Sequence, residues 1–452
     1  MEKRDVYMHM KKFYVRENDE SLEDDQEIIF LFDSNCKGPN DKVNKWDFLY
    51  QIAAIEDFYS IIQNDKKVLE HGGNYVFQVN TDKDLEVMLQ SYQLFSFMIF
   101  FKDSRERLHR KMQNFNQGIC NQSEKHISQN ISEFARMTCH GKFIRGALVN
   151  LGYSILKSDI EYSDDLALAF EIYQTAILIN DDIIDHASLR RNQPTIPVHY
   201  MNDWETKGIE IKRNAYDVAN SMAICAGGLG MCYANQKVAE AYSRSDNLGI
   251  LLKYFNQVII KTIQGEVIDV ILPFEEQNFC SNEEDLVDSI MEIYRLKTAW
   301  YTVIGPLCLG MILAGGADED IKKIESFAES LGIAFQIKDD ILGIYAEEDH
   351  IGKNVGSDIT EFKQTLLYAY IRNQKEYYSN FLRYYGKDNL TYEDVNAIRD
   401  LFSKSGALAY AEQEMNRYFE LAIKSLKSMK FIPEEKETIL FGLIWYLKLR
   451  KF

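Results

Sequence analysis

Two short acidic runs in the chain are spaced for divalent-cation chemistry. Asp181-Asp182-Ile183-Ile184-Asp185 follows the apolar stretch Thr175 to Ile179, and Asp339-Asp340 follows the run Gly332 to Lys338. On a helix, residues four apart are neighbours at about 5–6 Å, so Asp181 and Asp185 share one side with Asp182 beside them. Three carboxylates at the end of a helix repel one another and oppose its negative pole, a cost that a hard divalent cation removes. Mg²⁺ is the economical counter-ion, because it accepts one or two carboxylates and completes its shell with water and substrate phosphate. Taken alone, such a run is equally a solvated acidic helix end. Cations follow each run, however. Arg190-Arg191 lies five residues beyond Asp185, and Gly352-Lys353 with the segment Asp358 to Lys363 lies beyond Asp340, so phosphate binding is the chemistry both surroundings suit. No Ser-His-Asp or Cys-His arrangement with recognisable context accompanies them.

The elements that must carry these groups read as helices. Only six prolines occur in 452 residues, five of them after residue 190, across long stretches of Leu, Ile, Glu, Lys and Ala. From about Asp103 onward apolar residues recur at spacings of three and four, as in Leu166, Leu168, Ala169, Ile172, Tyr173, Ala176 and Ile177. Polar breaks at Lys157 to Asp164, Gln277 to Glu284 and Tyr385 to Asn389 separate the segments. The expected fold is all-α, one large helical bundle over residues 103–452 around a central cavity. Residues 1–102 have another texture, with an acidic cluster (Glu17, Asp19, Glu20, Glu23, Asp24, Asp25, Glu27), the strand-like run Ile28 to Phe32 and the apolar run Phe95 to Phe101. They are expected to form an accessory region in which no chemical motif is found.

The formal charge of −18 opposes general binding to nucleic acid or anionic membrane. Seven cysteines show no CxxC pair and no zinc-like spacing, which points to buried thiols in a reducing, cytoplasmic setting. Met1 to Arg16 lacks the apolar core of a signal peptide. The uncharged stretch Ala299 to Ala317 approaches the length of a membrane span, but its Gly, Cys and Thr content and the lack of a second span favour a helix packed inside a bundle.

With both acidic runs in place, the chain resembles the trans-prenyl-diphosphate synthase family, also called polyprenyl synthases, over about residues 130 to 370. His140-Gly141-Lys142-Phe143-Ile144-Arg145 is similar to the family's Gly-Lys-x-x-Arg segment. Asp181 to Asp185 with Leu189-Arg190-Arg191 resembles its first aspartate-rich motif, Lys297-Thr298 its Lys-Thr pair, and Phe335-Gln336 with Asp339-Asp340 its second. The resemblance implies an isoprenoid-synthase fold and a Mg²⁺ cluster, three ions per active site, ligated by Asp181, Asp185 and Asp339, with Asp182 and Asp340 in or near that shell. Arg190, Lys297, Thr298, Gln336, Lys353 and Lys363 are implied around an allylic diphosphate, with Asp269 on the lysine and metal side. Lys142, Arg145, Gln174 and Arg191 are implied to hold isopentenyl diphosphate, in a protein expected to be a homodimer with no nucleic acid partner and no transmembrane span. Position supports two of these assignments. Lys142 and Arg145 lie three apart at a predicted helix start, and Gln174 precedes Asp181 by two turns on the same face.

The reaction implied is 1′-4, trans condensation of the allylic diphosphate with isopentenyl diphosphate, through ionisation in a dry apolar cavity. Ala176 and Ile177 stand at the fifth and fourth positions before Asp181, where short-chain members of the family tend to carry aromatics. The small Ala176 therefore implies a product of C20 or longer. Three departures from the family pattern stand out: Gly343 in place of a third aspartate in the second motif, Glu266 where glutamine is usual, and Gly228 where an aspartate often follows glycine. Terpene cyclisation, prenylation of another acceptor, and a non-catalytic regulatory subunit are the competing readings. Against a cyclase stand Lys142, Arg145 and Arg191, which it would not need; against a non-catalytic subunit stand both aspartate pairs.

Overall fold

The computed structural model describes residues 4–9, 12–17, 27–30, 32–33, 68–71, 74–78, 82–139, 141–243, 245–279, 283–345, 356–387 and 390–450. Asp19, Glu20, Glu23, Asp24 and Asp25 of the acidic cluster, His140, Gly352 and the expected phosphate ligand Lys353 lie outside the described residues. The chain divides into two compact units, one built from residues 1–100 and 433–450, the other from 101–432.

The first unit opens with strands. β1 (Arg4–His9) pairs antiparallel with β2 (Lys12–Glu17), Arg4 opposite Glu17. β3 (Glu27–Phe30) falls on the strand-like run, and β4 (Phe32–Asp33) pairs parallel with β1. β5 (Val68–His71) and β3 both pair antiparallel with β6 (Asn74–Gln78). The long helix α1 (Asp82–Gln122) then begins about twenty residues before the expected helical region, because no glycine or proline interrupts residues 74–117. The boundary between the units falls within it.

The second unit continues with α2 (Ser128–Thr138), α3 (Ile144–Ser154), α4 (Asp164–Ile184), the hairpin β7 (Leu189–Arg190) and β8 (Gln193–Pro194), α5 (Ile196–Thr206), α6 (Ala215–Ala241), α7 (Leu248–Phe279) and α8 (Glu283–Ile293). A π-helix over Tyr294–Ile304 runs into α9 (Gly305–Leu313) and α10 (Asp318–Tyr345). After these come α11 (Ser357–Thr360), α12 (Leu366–Arg372), α13 (Lys375–Phe381), α14 (Tyr392–Ser405) and α15 (Ala407–Ser428). The last helix, α16 (Glu434–Leu449), belongs to the first unit, where Trp445 Nε1 donates to Gln93 Oε1 at 2.7 Å and Tyr446 lies against Phe97.

α4 is the axis of the bundle. Leu166, Ala169, Phe170, Ile172, Tyr173 and Ala176 are all fully buried, which its near-continuous apolar sequence predicts for a helix covered on every side. The π-helix packs chiefly against α10 and α7. Eleven residues is long for a form that mostly appears as single-turn bulges at functional sites. Two close approaches hold it: a side chain at Gly265 of α7 would run into the backbone of Lys297, and one at Gly332 of α10 into Ala299. Among the described residues, one stretch is long and apolar enough to cross a membrane, Glu284–Leu313, and 89% of its most apolar window is buried inside the protein.

Candidate active site

α4 ends with Asp185 as its C-cap, which presents Asp181, Asp182 and Asp185 over the last turn. The β7–β8 hairpin follows. Its central residues Arg191 and Asn192 have φ of 53° and 60°, the pair of left-handed residues that a two-residue type I′ turn requires. Arg190 and Arg191 consequently reach different partners. Arg190 donates through Nη2 to Asp181 Oδ2 and through Nε to Asp182 Oδ1, both at 2.6 Å. Burial works against the guanidinium charge, but Asp181 and Asp182 outweigh it and raise the Arg190 pKa.

Two lysines complete this cluster. Lys297 of the π-helix sits 2.6 Å from Asp269 Oδ2, 2.9 Å from Glu266 Oε2 and 3.6 Å from Asp181 Oδ1. Burial opposes its charge, and Asp269 and Asp181 more than restore it, so the ammonium titrates above its ordinary range. Lys363 Nζ lies 3.2 Å from Asp185 Oδ2, 3.0 Å from Glu361 Oε2 and 3.9 Å from Asp358 Oδ1. The glutamate that departs from the family pattern, Glu266, is thus a partner of Lys297, with its own carboxyl pushed up by burial.

The second aspartate pair splits by environment. Asp339 is half-buried, whereas Asp340 is buried and accepts from Gln336 Nε2 at 2.7 Å and from the Tyr294 hydroxyl. Gln336 in turn accepts from Thr298 Oγ1 at 2.5 Å, and Tyr294 accepts from the Leu366 N–H at 3.1 Å. Burial, with the Asp358 charge added, pushes the Asp340 carboxyl up to about 8. Asp340 and the equally buried Asp182 therefore brace the site from behind. At Gly343 a side chain would have its Cβ 2.9 Å from Asp358 Oδ2, so the Asp358 carboxylate occupies space that a third aspartate would need.

Seven residues before Asp181, about 10 Å along α4, a second cluster forms. With its side-chain amide turned so that the oxygen faces the two guanidiniums, the orientation that satisfies both ends, Gln174 accepts from Arg145 Nη1 at 2.8 Å and Arg191 Nη2 at 3.2 Å, while its amide nitrogen donates to Glu171 Oε2 at 2.9 Å. Arg145 also donates to Thr302 Oγ1 at 2.9 Å, and its guanidinium lies 4.1 Å from the centre of the Tyr301 ring. Glu171, Tyr301 and Thr302 belong to no motif; the only sequence signal for Glu171 is a lone acidic residue on a buried helical face. Glu171 also accepts from the Gly146 N–H at 2.7 Å, and burial raises its pKa. Burial likewise lowers that of Arg191, aided by Arg145 and Arg190.

Lys142 stands apart from the expected helix start. α3 begins at Ile144 after Phe143 in the left-handed conformation (φ 59°), its ring buried against His109, so Lys142 is exposed ahead of the helix while Arg145 points into the cluster. Ala176 and Ile177 are buried, and Ala176 Cβ would lie 2.8 Å from a side chain at Gly230 of α6, where the Phe134 ring also presses. The Phe134 ring and the Ala176 methyl thus share the space that a side chain at Gly230 would need. Gly228 lies exposed on α6 with open space at its Cβ position.

Asp181, Asp185 and Asp339 themselves offer only carboxylate oxygens, which suit a hard divalent cation. No three His, Cys, Asp or Glu side chains among the described residues form a ready-made metal cage.

Residues 128–402 match the polyprenyl synthetase family. The chain belongs to that family. Among relatives of this polyprenyl synthetase, the geranylgeranyl diphosphate synthase of Sulfolobus acidocaldarius is 28% identical over 296 residues, 65% of this chain and 82% of the relative. The geranylfarnesyl diphosphate synthase of Aeropyrum pernix is 29% identical over 282 residues, 62% and 81% of the two chains. The solved geranylgeranyl pyrophosphate synthase of Corynebacterium glutamicum, complexed with isoprenyl diphosphate and magnesium, superposes with a TM-score of 0.69 at 25% identity, covering 78% of this chain and 99% of that one. The fold of this polyprenyl synthetase is accordingly the all-α isoprenoid-synthase bundle.

Proposed function

We propose that this protein condenses an allylic diphosphate with isopentenyl diphosphate in a 1′-4, trans reaction and releases a prenyl diphosphate of C20 or longer. The observation that carries this reading is the pair of cation clusters on one helix: Arg190, Lys297 and Lys363 around Asp181 and Asp185, and Arg145 with Arg191 around Gln174. Two diphosphates need two such sites, whereas a cyclase needs one, so the second cluster speaks against cyclisation.

Mg²⁺ held by Asp181, Asp185 and Asp339, three ions per site on the family pattern, would neutralise the charge of the leaving diphosphate. Lys297, Arg190 and Lys363 offer the donors that take up charge on its oxygens as the bond to carbon breaks. Arg145, Gln174 and Arg191 hold the second diphosphate so that its double bond faces the allylic carbon. Tyr173, fully buried and packed edge-on against Phe255 and Tyr301, belongs to the apolar core beside the second cluster, the kind of dry surrounding the cation needs. The proton lost on closing the new double bond goes to the released diphosphate.

A homodimer is supported by α7, where Ile260, Ile263, Val267, Val270 and Phe274 recur at spacings of three and four and are all exposed, Phe274 at 76%. Such a seam fits a second copy of the same helix face. Of the five described cysteines only Cys308 is buried, while Cys139, Cys225 and Cys232 are exposed, against the expected buried thiols; that these and Cys120 are free thiols is what supports a reducing, cytoplasmic compartment. The test of function incubates the protein with Mg²⁺, labelled isopentenyl diphosphate and dimethylallyl, geranyl or farnesyl diphosphate in turn. A ladder ending at C20 or beyond is expected; no incorporation with any starter would remove the proposal, and a C15 end-product would remove its length.

A further inference from the structure

Phe362, the residue immediately before Lys363, has φ 58°. A bulky side chain in the left-handed region is an outlier, and such strain persists only where the surroundings over-determine it. Here they do so from the segment after α13. The Tyr385 hydroxyl donates to the Phe362 carbonyl at 2.5 Å, and the Tyr385 ring meets the Phe362 ring edge-on at 5.2 Å. Gly386, itself at φ 74°, has the Phe362 ring lying where its side chain would be, and its N–H donates to Ile359 O at 2.9 Å. Tyr385 is fixed in turn by stacking on Tyr368 at 4.9 Å. On the far side, Phe274 of α7 lies 6.4 Å from Phe362.

We infer that the clasp of Phe362 against Tyr385 and Gly386 is a positioning device that aims the Lys363 ammonium at the diphosphate site beside Asp185. The backbone at Phe362 sets the direction in which the Lys363 side chain leaves the chain, and relaxing it to an ordinary conformation turns Lys363 away from Asp185. Nothing in the ring itself reaches the site, so Phe362 acts through its neighbour. The inference rests on the reading of this site as a diphosphate site.

Three variants test it, each assayed for binding of inorganic diphosphate with Mg²⁺ by calorimetry, for the KM of each substrate and for thermal unfolding. Phe362→Asn keeps a residue that accepts the left-handed conformation but removes the ring. Gly386→Ala inserts a methyl group into the ring's position, and Phe362→Tyr retains the ring. The first two are expected to weaken diphosphate binding at least tenfold and raise the allylic KM in parallel, with the isopentenyl KM within twofold of wild type; Phe362→Tyr is expected to bind as wild type. A purely structural role would move the unfolding temperature and spare this split between the two KM values. Should Gly386→Ala fail to fold, Phe362→Asn, which puts a smaller side chain in place of the ring, decides. Wild-type affinity in Phe362→Asn overturns the inference alone. Failure of the wild-type protein to bind diphosphate overturns the reading of the site and the inference with it.

Discussion

Arg190 donates to Asp181 at 2.6 Å and so fastens the hairpin to the end of α4. The pairing is shared: Arg190 keeps Asp182, and Lys297 keeps Glu266 and Asp269, when Asp181 is removed. Asp181→Ala is therefore expected to change stability by no more than ~1 kcal/mol while lowering turnover by about 10²–10³-fold or more. Thermal melts and single-turnover product analysis on one preparation check both, and loss of folding would contradict the assignment of Asp181 to a metal site.

Glu171 binds the backbone of α3 and faces both arginines of the second cluster. Glu171→Gln should leave Arg145 and Arg191 less well ordered and raise the KM for isopentenyl diphosphate about tenfold, ~1.4 kcal/mol, with little change for the allylic substrate. The same variant should alter the pH profile of stability. Burial raises the folded pKa of Glu171 above its ordinary unfolded value, so its contribution is whole below about pH 4.3 and is lost as pH rises from there through the folded pKa. Urea melts at stepped pH should show a shallower fall for Glu171→Gln; parallel profiles would refute the burial argument.

Gly343→Asp would set a new carboxylate against Asp358, whose Oδ2 lies 2.9 Å from the added Cβ. Like charges so close should cost about 1–3 kcal/mol in the protein without metal. Saturating Mg²⁺ with inorganic diphosphate should recover part of it. An unfolding temperature that is unchanged without metal would show that Asp358 moves aside freely.

Ala176→Phe should destabilise the bundle rather than simply shorten the product, because Gly230 and Phe134 already fill the space beside it. Overpacking of this kind costs about 1–3 kcal/mol. Phe134→Ala is the informative partner: longer products from it than from the wild type would identify Phe134 as the residue that limits growth at this level, and an identical ladder would exclude it.

Val267→Lys places a charge in the exposed seam of α7 and is expected to yield a monomer by native mass measurement. A dimer that survives the change would move the interface elsewhere.

The acidic pairs and Arg190-Arg191 were legible in the sequence because neighbouring charges are conspicuous in a linear reading and their separation on a helix follows from one repeat length. Glu171, Tyr294 and Tyr301 were not, since each is a single residue whose meaning comes from a partner tens or hundreds of positions away, Gly146, Asp340 and Arg145 respectively. The face of the π-helix was hidden for another reason: a 3.6-residue period misplaces every side chain after Tyr294. The helical bundle was evident from spacing, yet the early start of α1 required noticing that nothing breaks it, and no local pattern announces that α16 packs with Gln93 and Phe97.

That last arrangement bears on how the protein is made. Residues 1–100 leave the ribosome before residues 101–432, but the helix that completes their unit is translated only after all of 101–432. Residues 1–100 must therefore wait, with Phe97 and its neighbours uncovered, while more than three hundred residues are added. A chain cut short before Glu434 would carry an intact catalytic motif set and an unfinished beginning, and would be a natural client for chaperones.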